Sequence, residues 1–235
     1  MSAQAASPAA IAMPARDGNF SSAAYWEQRY RLGGHSGAGS RGRLARYKAR
    51  FLNTLIRDND VASAIEFGCG DGDQLAMLDV ADYVGIDVAP EAVRRCGVRF
   101  AGVPGRQFRH AHDLAGLDAA ELGLSLDVVY HLVEDAVFIR YMDELFAHAW
   151  RFVVVYASDI DAAWPGRHVR HRRFTAHVAR YFPEWRLAAV MPNPYPYDPQ
   201  RPDETSFAAF HVFCQAEEAC HLTVPAVDPD DGVPE

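Results

Sequence analysis

Glycine stands at every second position in Gly68-Cys69-Gly70-Asp71-Gly72, immediately after the apolar run Ala64-Ile65-Glu66-Phe67. Such a loop removes the side chains that would hold a ligand off the backbone, and it permits positive φ in the turn. Glu66 sits near the end of the run and Asp73 follows the last glycine. In the dinucleotide fingerprint G-x-G-x-x-G, the glycines seat a pyrophosphate on a helix N-terminus. Here the third glycine comes one residue early, and two carboxylates flank the loop. Like charges at short range repel, so the loop suits a cationic ligand better than a doubly anionic one. An ordinary tight turn without a ligand is the alternative.

Other stretches also hold groups able to do chemistry. Asp87 ends Tyr83-Val-Gly-Ile-Asp, 21 residues after Glu66, a position from which a carboxylate accepts both hydroxyls of a ribose. It is equally placed to cap a helix entered at Pro90. His131 follows Leu126-Asp-Val-Val-Tyr130. Its imidazole titrates near neutrality and is a candidate general base, or else a wall of the same pocket. Gly166 to Arg173 holds four arginines and the two histidines His168 and His171. Arg167 and Arg170 are candidates to bind a carboxylate or phosphate of a substrate, and His168 and His171 are alternative bases. The plain alternative is a solvated basic loop. His110 and His112 stand at i, i+2 without a third ligand, so no metal site is expected.

Glu66-x-Gly68-x-Gly70-x-Gly72 followed by Tyr83-Val-Gly-Ile-Asp87 resembles the class I S-adenosylmethionine-dependent methyltransferases, over roughly Tyr25 to Ala216. The resemblance implies S-adenosylmethionine as cofactor, cradled by Glu66, Gly68, Cys69, Gly70 and Gly72, with Asp87 and Val88 at its ribose. It implies Asp113 and Leu114 at the adenine, and Tyr130 where the methyl group is presented. Similar methyltransferases carry a Tyr-Trp-x-x-Arg-Tyr segment that closes over the cofactor. Trp26, Arg29 and Tyr30 match it, with Arg29 near the cofactor carboxylate; core packing of Tyr25 and Trp26 is the alternative. The five glycines between Gly33 and Gly42 suit a mobile lid. Two motifs that DNA methyltransferases carry after the fourth strand, Asx/Ser-Pro-Pro-aromatic and Pro-Cys, are absent here. The implied activity is methyl transfer to O or N of a small, anionic or sugar-bearing metabolite. The proline-stiffened loop Pro192–Tyr197, with Tyr195, would then wall the substrate. Two rivals remain: a non-catalytic S-adenosylmethionine-binding subunit or regulator, and an NAD-dependent oxidoreductase, which the glycine spacing and Asp73 disfavour.

The elements that must position these groups alternate along the chain. Short apolar runs predict strands at 62–67, 83–88, 107–112, 125–131, 151–157, 185–190 and 206–215, and helical patterns occupy 73–79, 90–96, 134–149 and 174–181. An earlier helix from Arg43 repeats Leu44, Tyr47, Phe51, Leu52 and Leu55 on one face, with Arg43, Arg46 and Arg50 on another. The alternation predicts an α/β fold, doubly wound around a mainly parallel sheet with helices on both faces. The resemblance adds that the sheet is seven-stranded and Rossmann-like, with its last strand antiparallel. Ligands of such sheets bind outside the carboxyl ends of the strands.

At 235 residues one domain is expected, over 19–220 with a helical lid segment at 19–58. An Ala/Ser/Pro-rich tail at 1–18 and an acidic tail at 221–235 read as disordered. The net charge of −8 argues against a general nucleic-acid binder. It is unevenly spread: Arg29 to Arg57 holds eight basic residues and no acid, whereas Asp198 to Glu235 holds nine acids and one arginine. No apolar run reaches the ~20 residues that span a bilayer, and the start lacks a secretory pattern. Together with four cysteines lacking zinc spacing, read as free thiols, this predicts a cytoplasmic protein. It would act on a small-molecule acceptor, as a monomer or homodimer, without nucleic-acid or membrane partners.

Overall fold

The computed structural model describes residues 20–215 and 222–225. Seven strands form one sheet: β1 (Ser63–Phe67), β2 (Asp82–Asp87), β3 (Arg106–His110), β4 (Ala120–Leu126), β5 (Ala149–Ala157), β6 (Trp185–Met191) and β7 (Ala209–Gln215). Their order is β3-β2-β1-β4-β5-β7-β6. The pairs from β3 to β5 are parallel, and β7 runs antiparallel to β5 and β6. The mainly parallel, seven-stranded expectation holds, including the reversed last strand.

Among the described residues five α-helices surround the sheet: α1 (Ser22–Arg31), α2 (Gly42–Asp58), α3 (Pro90–Arg99), α4 (Asp135–Ala147) and α5 (Phe174–Tyr181). Alternation along β7 shows that both faces are covered, because neighbouring residues of a strand point to opposite sides. Phe210 stacks on Phe51 of α2 at 4.0 Å. Its neighbour of opposite parity, Phe213, meets Phe146 of α4 at 5.6 Å, and His211 meets Phe174 of α5 at 4.8 Å. Phe51, Phe174, Phe210 and Phe213 are all essentially buried, each stabilising the fold by roughly 1.5–3 kcal/mol.

Two expected elements are corrected. Residues 73–79 form only a single 3-10 turn, Leu75–Met77, rather than a helix. Asn53 of α2 ends it, donating to the Met77 carbonyl at 2.9 Å and accepting from the Asp79 amide at 2.9 Å. The fourth strand is Ala120–Leu126 rather than 125–131. Asp127 adopts φ +61°, which leaves the β region, and Val129–His131 then wind into a 3-10 turn.

The chain leaves β1 and β4, which are neighbours, in opposite directions across the sheet. Their carboxyl ends, Phe67-Gly68 and Leu126-Asp127, therefore border the crevice where such folds take ligands. Among the described residues no helix is long and apolar enough to cross a membrane. The expected N-terminal tail lies outside the described residues. So does most of the acidic one, apart from 222–225, where Thr223 exchanges two hydrogen bonds with Asn59. Cys69, Cys96 and Cys214 are free thiols; Cys220 lies outside the described residues.

Candidate active site

A cavity of about 250 Å³ opens at the switch point. Its floor is the glycine loop. Gly68, Gly70 and Gly72 have φ of +88°, +59° and +76°, a region other residues rarely adopt. Close approach demands glycine as well. A Cβ on Gly68 would lie 2.4 Å from Val128 Cγ2, and one on Gly70 would lie 2.2 Å from Ser36 Oγ. The loop after β4 and the Gly33–Gly42 segment both press onto this floor.

The roof is α1. Trp26 and Tyr30 face the cavity, and Tyr30 Oη lies 3.0 Å from Ser36 Oγ. Ser36 donates to Asp71 through its amide at 2.9 Å and its hydroxyl at 2.8 Å, and accepts from the Asp71 amide at 3.0 Å. Near its start, α1 is fastened to the β4 side, where Ser22 donates through its amide at 2.8 Å and through its hydroxyl to Glu134. On the α3 side the Glu91 amide donates to Glu27 at 3.0 Å, and Arg95 donates to the carbonyls of Tyr30 and Gly34. The structure thus draws α1 closed over the loop from two sides.

Four carboxylates line the cavity, Glu66, Asp87, Asp127 and Glu144, against one guanidinium, Arg140. Asp87 accepts from the Gly70 amide at 2.9 Å and the Ala89 amide at 2.8 Å. Burial nonetheless pushes its carboxyl up to about 6. Glu66 accepts from Tyr83 Oη at 2.5 Å, and burial pushes it up to about 7. Asp73 is different. It does not line the cavity, and its oxygens pair with Arg41 at 3.0 Å and Arg99 at 2.7 Å. The expected pair of loop carboxylates is therefore corrected: Glu66 and Asp87 supply the charge that Asp73 does not.

Three groups stand out that sequence reasoning passed over. Gln74 is buried, lines the cavity and has an Oε1 with no hydrogen-bond partner, while its amide nitrogen donates to the Ala45 carbonyl at 3.2 Å. Lys48 is fully buried, with Nζ 2.5 Å from Asp127 Oδ2. Asp127, in turn, accepts from Tyr130 Oη at 2.7 Å. Lys48 had a readable signal: positions 44, 48, 52 and 55 share the apolar stripe of α2, and a lysine there must find a buried partner.

Of the residues expected in the site, Trp26, Tyr30, Glu66, Gly68, Cys69, Asp87, Val88, Leu114 and His131 line the cavity. Gly70 and Gly72 shape its loop. Outside the lining lie Arg29, Asp113, Tyr130, His168, His171, Arg167, Arg170 and Tyr195. Arg29 donates to the His35 carbonyl at 2.7 Å. Asp113 is exposed, three residues past the end of β3. His168 stacks on Tyr25 at 5.0 Å and on His131 at 5.4 Å. His171 shares a hydrogen bond of 2.7 Å with Ser158 and is boxed in by Trp164 and Phe207. Tyr195 packs under the Arg43 guanidinium at 4.3 Å. Arg170 and Arg172 bind Asp135 at 3.2 and 2.6 Å and the carbonyls of Leu132 and Val133.

His131 lies under the roof, its ring 4.9 Å from Trp26. Its Nδ1 is 2.8 Å from the His168 carbonyl; a carbonyl only accepts, so Nδ1 bears the proton and Nε2 the lone pair. Burial pulls His131 down to about 4, leaving the ring neutral at ordinary pH.

No protein-family model matches the chain, and no curated protein is similar to it in sequence. Solved structures are similar in fold. The N-methyltransferase NodS from Bradyrhizobium japonicum WM9, in complex with S-adenosyl-L-homocysteine, aligns at a TM-score of 0.60 and 14% identity, covering 83% of this chain and 98% of NodS. The magnesium protoporphyrin IX methyltransferase ChlM from Synechocystis PCC 6803, with bound S-adenosylmethionine, aligns at 0.56 and 15%, covering 85% and 100%. The small RNA methyltransferase HEN1 aligns at 0.54 and 12%, over 73% of this chain and 25% of its own. At these identities the likeness speaks for the architecture: the chain has the fold of class I methyltransferases.

Proposed function

We propose that the cavity binds S-adenosylmethionine and that the protein transfers its methyl group to O or N of a small molecule. The observation that carries this reading is Gln74 Oε1, a buried acceptor without a partner, in a wall with four carboxylates and one arginine. Leaving such a group unpaired costs roughly 1–3 kcal/mol, and the ammonium of a cationic ligand would satisfy it. Asp87 has acceptor capacity beyond its two backbone donors, as a ribose diol requires. Only a 3-10 turn follows the glycine loop, so no helix N-terminus stands ready for a pyrophosphate. Solved structures of the same fold were crystallised with S-adenosylmethionine or its demethylated product.

The bound cofactor supplies a methyl group on a sulfonium, already activated for displacement. What the chain must add is alignment and exclusion of water, which in well-arranged cases is worth up to ~7–11 kcal/mol. Trp26 and Tyr30 roof the cavity, Glu66 and Asp87 hold the cationic and ribose parts, and Asp127 and His131 face the acceptor end. The case for an anionic acceptor rests on the 167–173 stretch, where Arg170 and Arg172 already bind Asp135. Thermal denaturation with S-adenosylhomocysteine or NAD tests the reading. The homocysteine nucleoside should raise the melting temperature and NAD should not, and Gln74→Leu should shrink the rise. A rise with NAD alone would transfer the site to dinucleotides.

A further inference from the structure

Building on the methyl-transfer reading, we infer that the acceptor is an amine, its nitrogen oriented by the Asp127 carboxylate and by His131 Nε2, with Lys48 and Tyr130 as positioning residues that fix Asp127. Asp127 follows β4 directly, with φ +61°, and both it and His131 line the cavity. Lys48 Nζ binds Oδ2 at 2.5 Å and Tyr130 Oη binds Oδ1 at 2.7 Å. A carboxylate has about four acceptor sites, so each oxygen keeps one. His131 Nε2 also accepts, since Nδ1 spends its proton on the His168 carbonyl.

Two fixed acceptors therefore stand at the end of β4, and the buried cation beside them is already spent. Lys48 pairs with Asp127 and lies over the Tyr156 ring at 5.4 Å. A carboxylate or phosphate would meet lone pairs there and the negative balance of the lining. Once its ammonium has lost a proton to water, an amine offers a hydrogen to each acceptor and keeps its lone pair for the methyl carbon. A hydroxyl offers only one hydrogen and requires a base, whereas burial makes His131 a weak one. In the amine reaction the nitrogen lone pair forms the new N–C bond, and the electron pair of the old methyl–sulfur bond leaves with sulfur. The nitrogen keeps its hydrogens, becomes cationic beside the Asp127 carboxylate, and afterwards loses a proton to water. A preorganised carboxylate next to developing positive charge stabilises that transition state.

The test is calorimetric. Protein is first titrated with S-adenosylhomocysteine and then, saturated with it at pH 8, with benzylamine, benzyl alcohol and benzoate. Benzylamine should bind at least about tenfold tighter than either analogue, a difference of ~1.4 kcal/mol. Asp127→Asn, which tolerates the left-handed backbone, should reduce benzylamine to the level of the alcohol. The double variant Lys48→Met/Asp127→Asn removes both buried charges together and should do the same, which covers failure of the single variant to fold. Equal or reversed ranking, or no binding of benzylamine, overturns the inference while homocysteine binding leaves the methyl-transfer reading standing. Absence of S-adenosylhomocysteine binding overturns both.

Discussion

Around the glycine loop, Glu66, Asp87 and Gln74 are buried with acceptor capacity to spare, whereas in the 167–173 stretch Arg170 and Arg172 are paired with Asp135 and with backbone carbonyls. In that stretch Arg172 Nε and His171 Nε2 lack partners among the described residues. Both regions are unusual in composition and both lie toward the carboxyl edge of the sheet. In the basic stretch, Arg172 is bound to Asp135 at 2.6 Å and to two backbone carbonyls, so its charge holds the loop after β4 in place. On the other side the fold withholds partners. Burial raises two carboxyls and leaves one amide oxygen unmet. Charge density alone does not mark a binding site; in the cavity, several carboxyls with raised pKa and an unmet amide oxygen converge on one space.

The largest expected effect falls where the two kinds of region meet. Lys48→Met strands Asp127 without its cation and should cost about 3–5 kcal/mol of folding stability, read by denaturant titration. A loss below about 1 kcal/mol would mean that solvent reaches the pair. Next, Asp87→Ala should weaken S-adenosylhomocysteine binding by about 1–3 kcal/mol in calorimetry. On the occupied side, Arg172→Met should lower stability by roughly 1–2 kcal/mol and leave that affinity unchanged. A loss of affinity matching that of Asp87→Ala would erase the distinction between the regions.

The smallest effect is in pH. Folding raises Glu66 from 4.5 to about 7 and Asp87 from 3.8 to about 6, so the folded chain holds protons that the unfolded chain has released. The contribution of Glu66 and Asp87 to the stability of the ligand-free protein should therefore fall as pH rises from about 4 to 7 and level off above it, opposed by that of His131, which folding lowers to about 4. Cofactor affinity should rise from pH 6 to 8, because a cation binds the ionised carboxylates. Glu66→Gln should flatten the upper part of both curves, and an unchanged slope would detach Glu66 from them.

Much of this was legible in the chain. Gly68-x-Gly70-x-Gly72 between two apolar runs located the loop, and its distance to Asp87 located the second strand end. Pro90 located α3, because proline at a first helical position loses no hydrogen bond. The limits of β4 were not legible. Val128-Val129-Tyr130 has the composition of a strand, but the left-handed backbone at Asp127 turns it aside. The true strand contains Gly123, where a Cβ would lie 3.0 Å from Ala149, a packing demand that no local pattern reveals. Nor could spacing show that Asp73 would be taken by Arg41 and Arg99, which are distant in sequence and meet it only in the fold.

Isothermal titration of the purified protein with S-adenosylmethionine, S-adenosylhomocysteine and NAD addresses the central claim most directly. Micromolar binding of the first two, weakened in Asp87→Ala, with no heat from NAD, is the predicted result. Folded protein that binds neither sulfur nucleoside, or that binds NAD in preference, would contradict it.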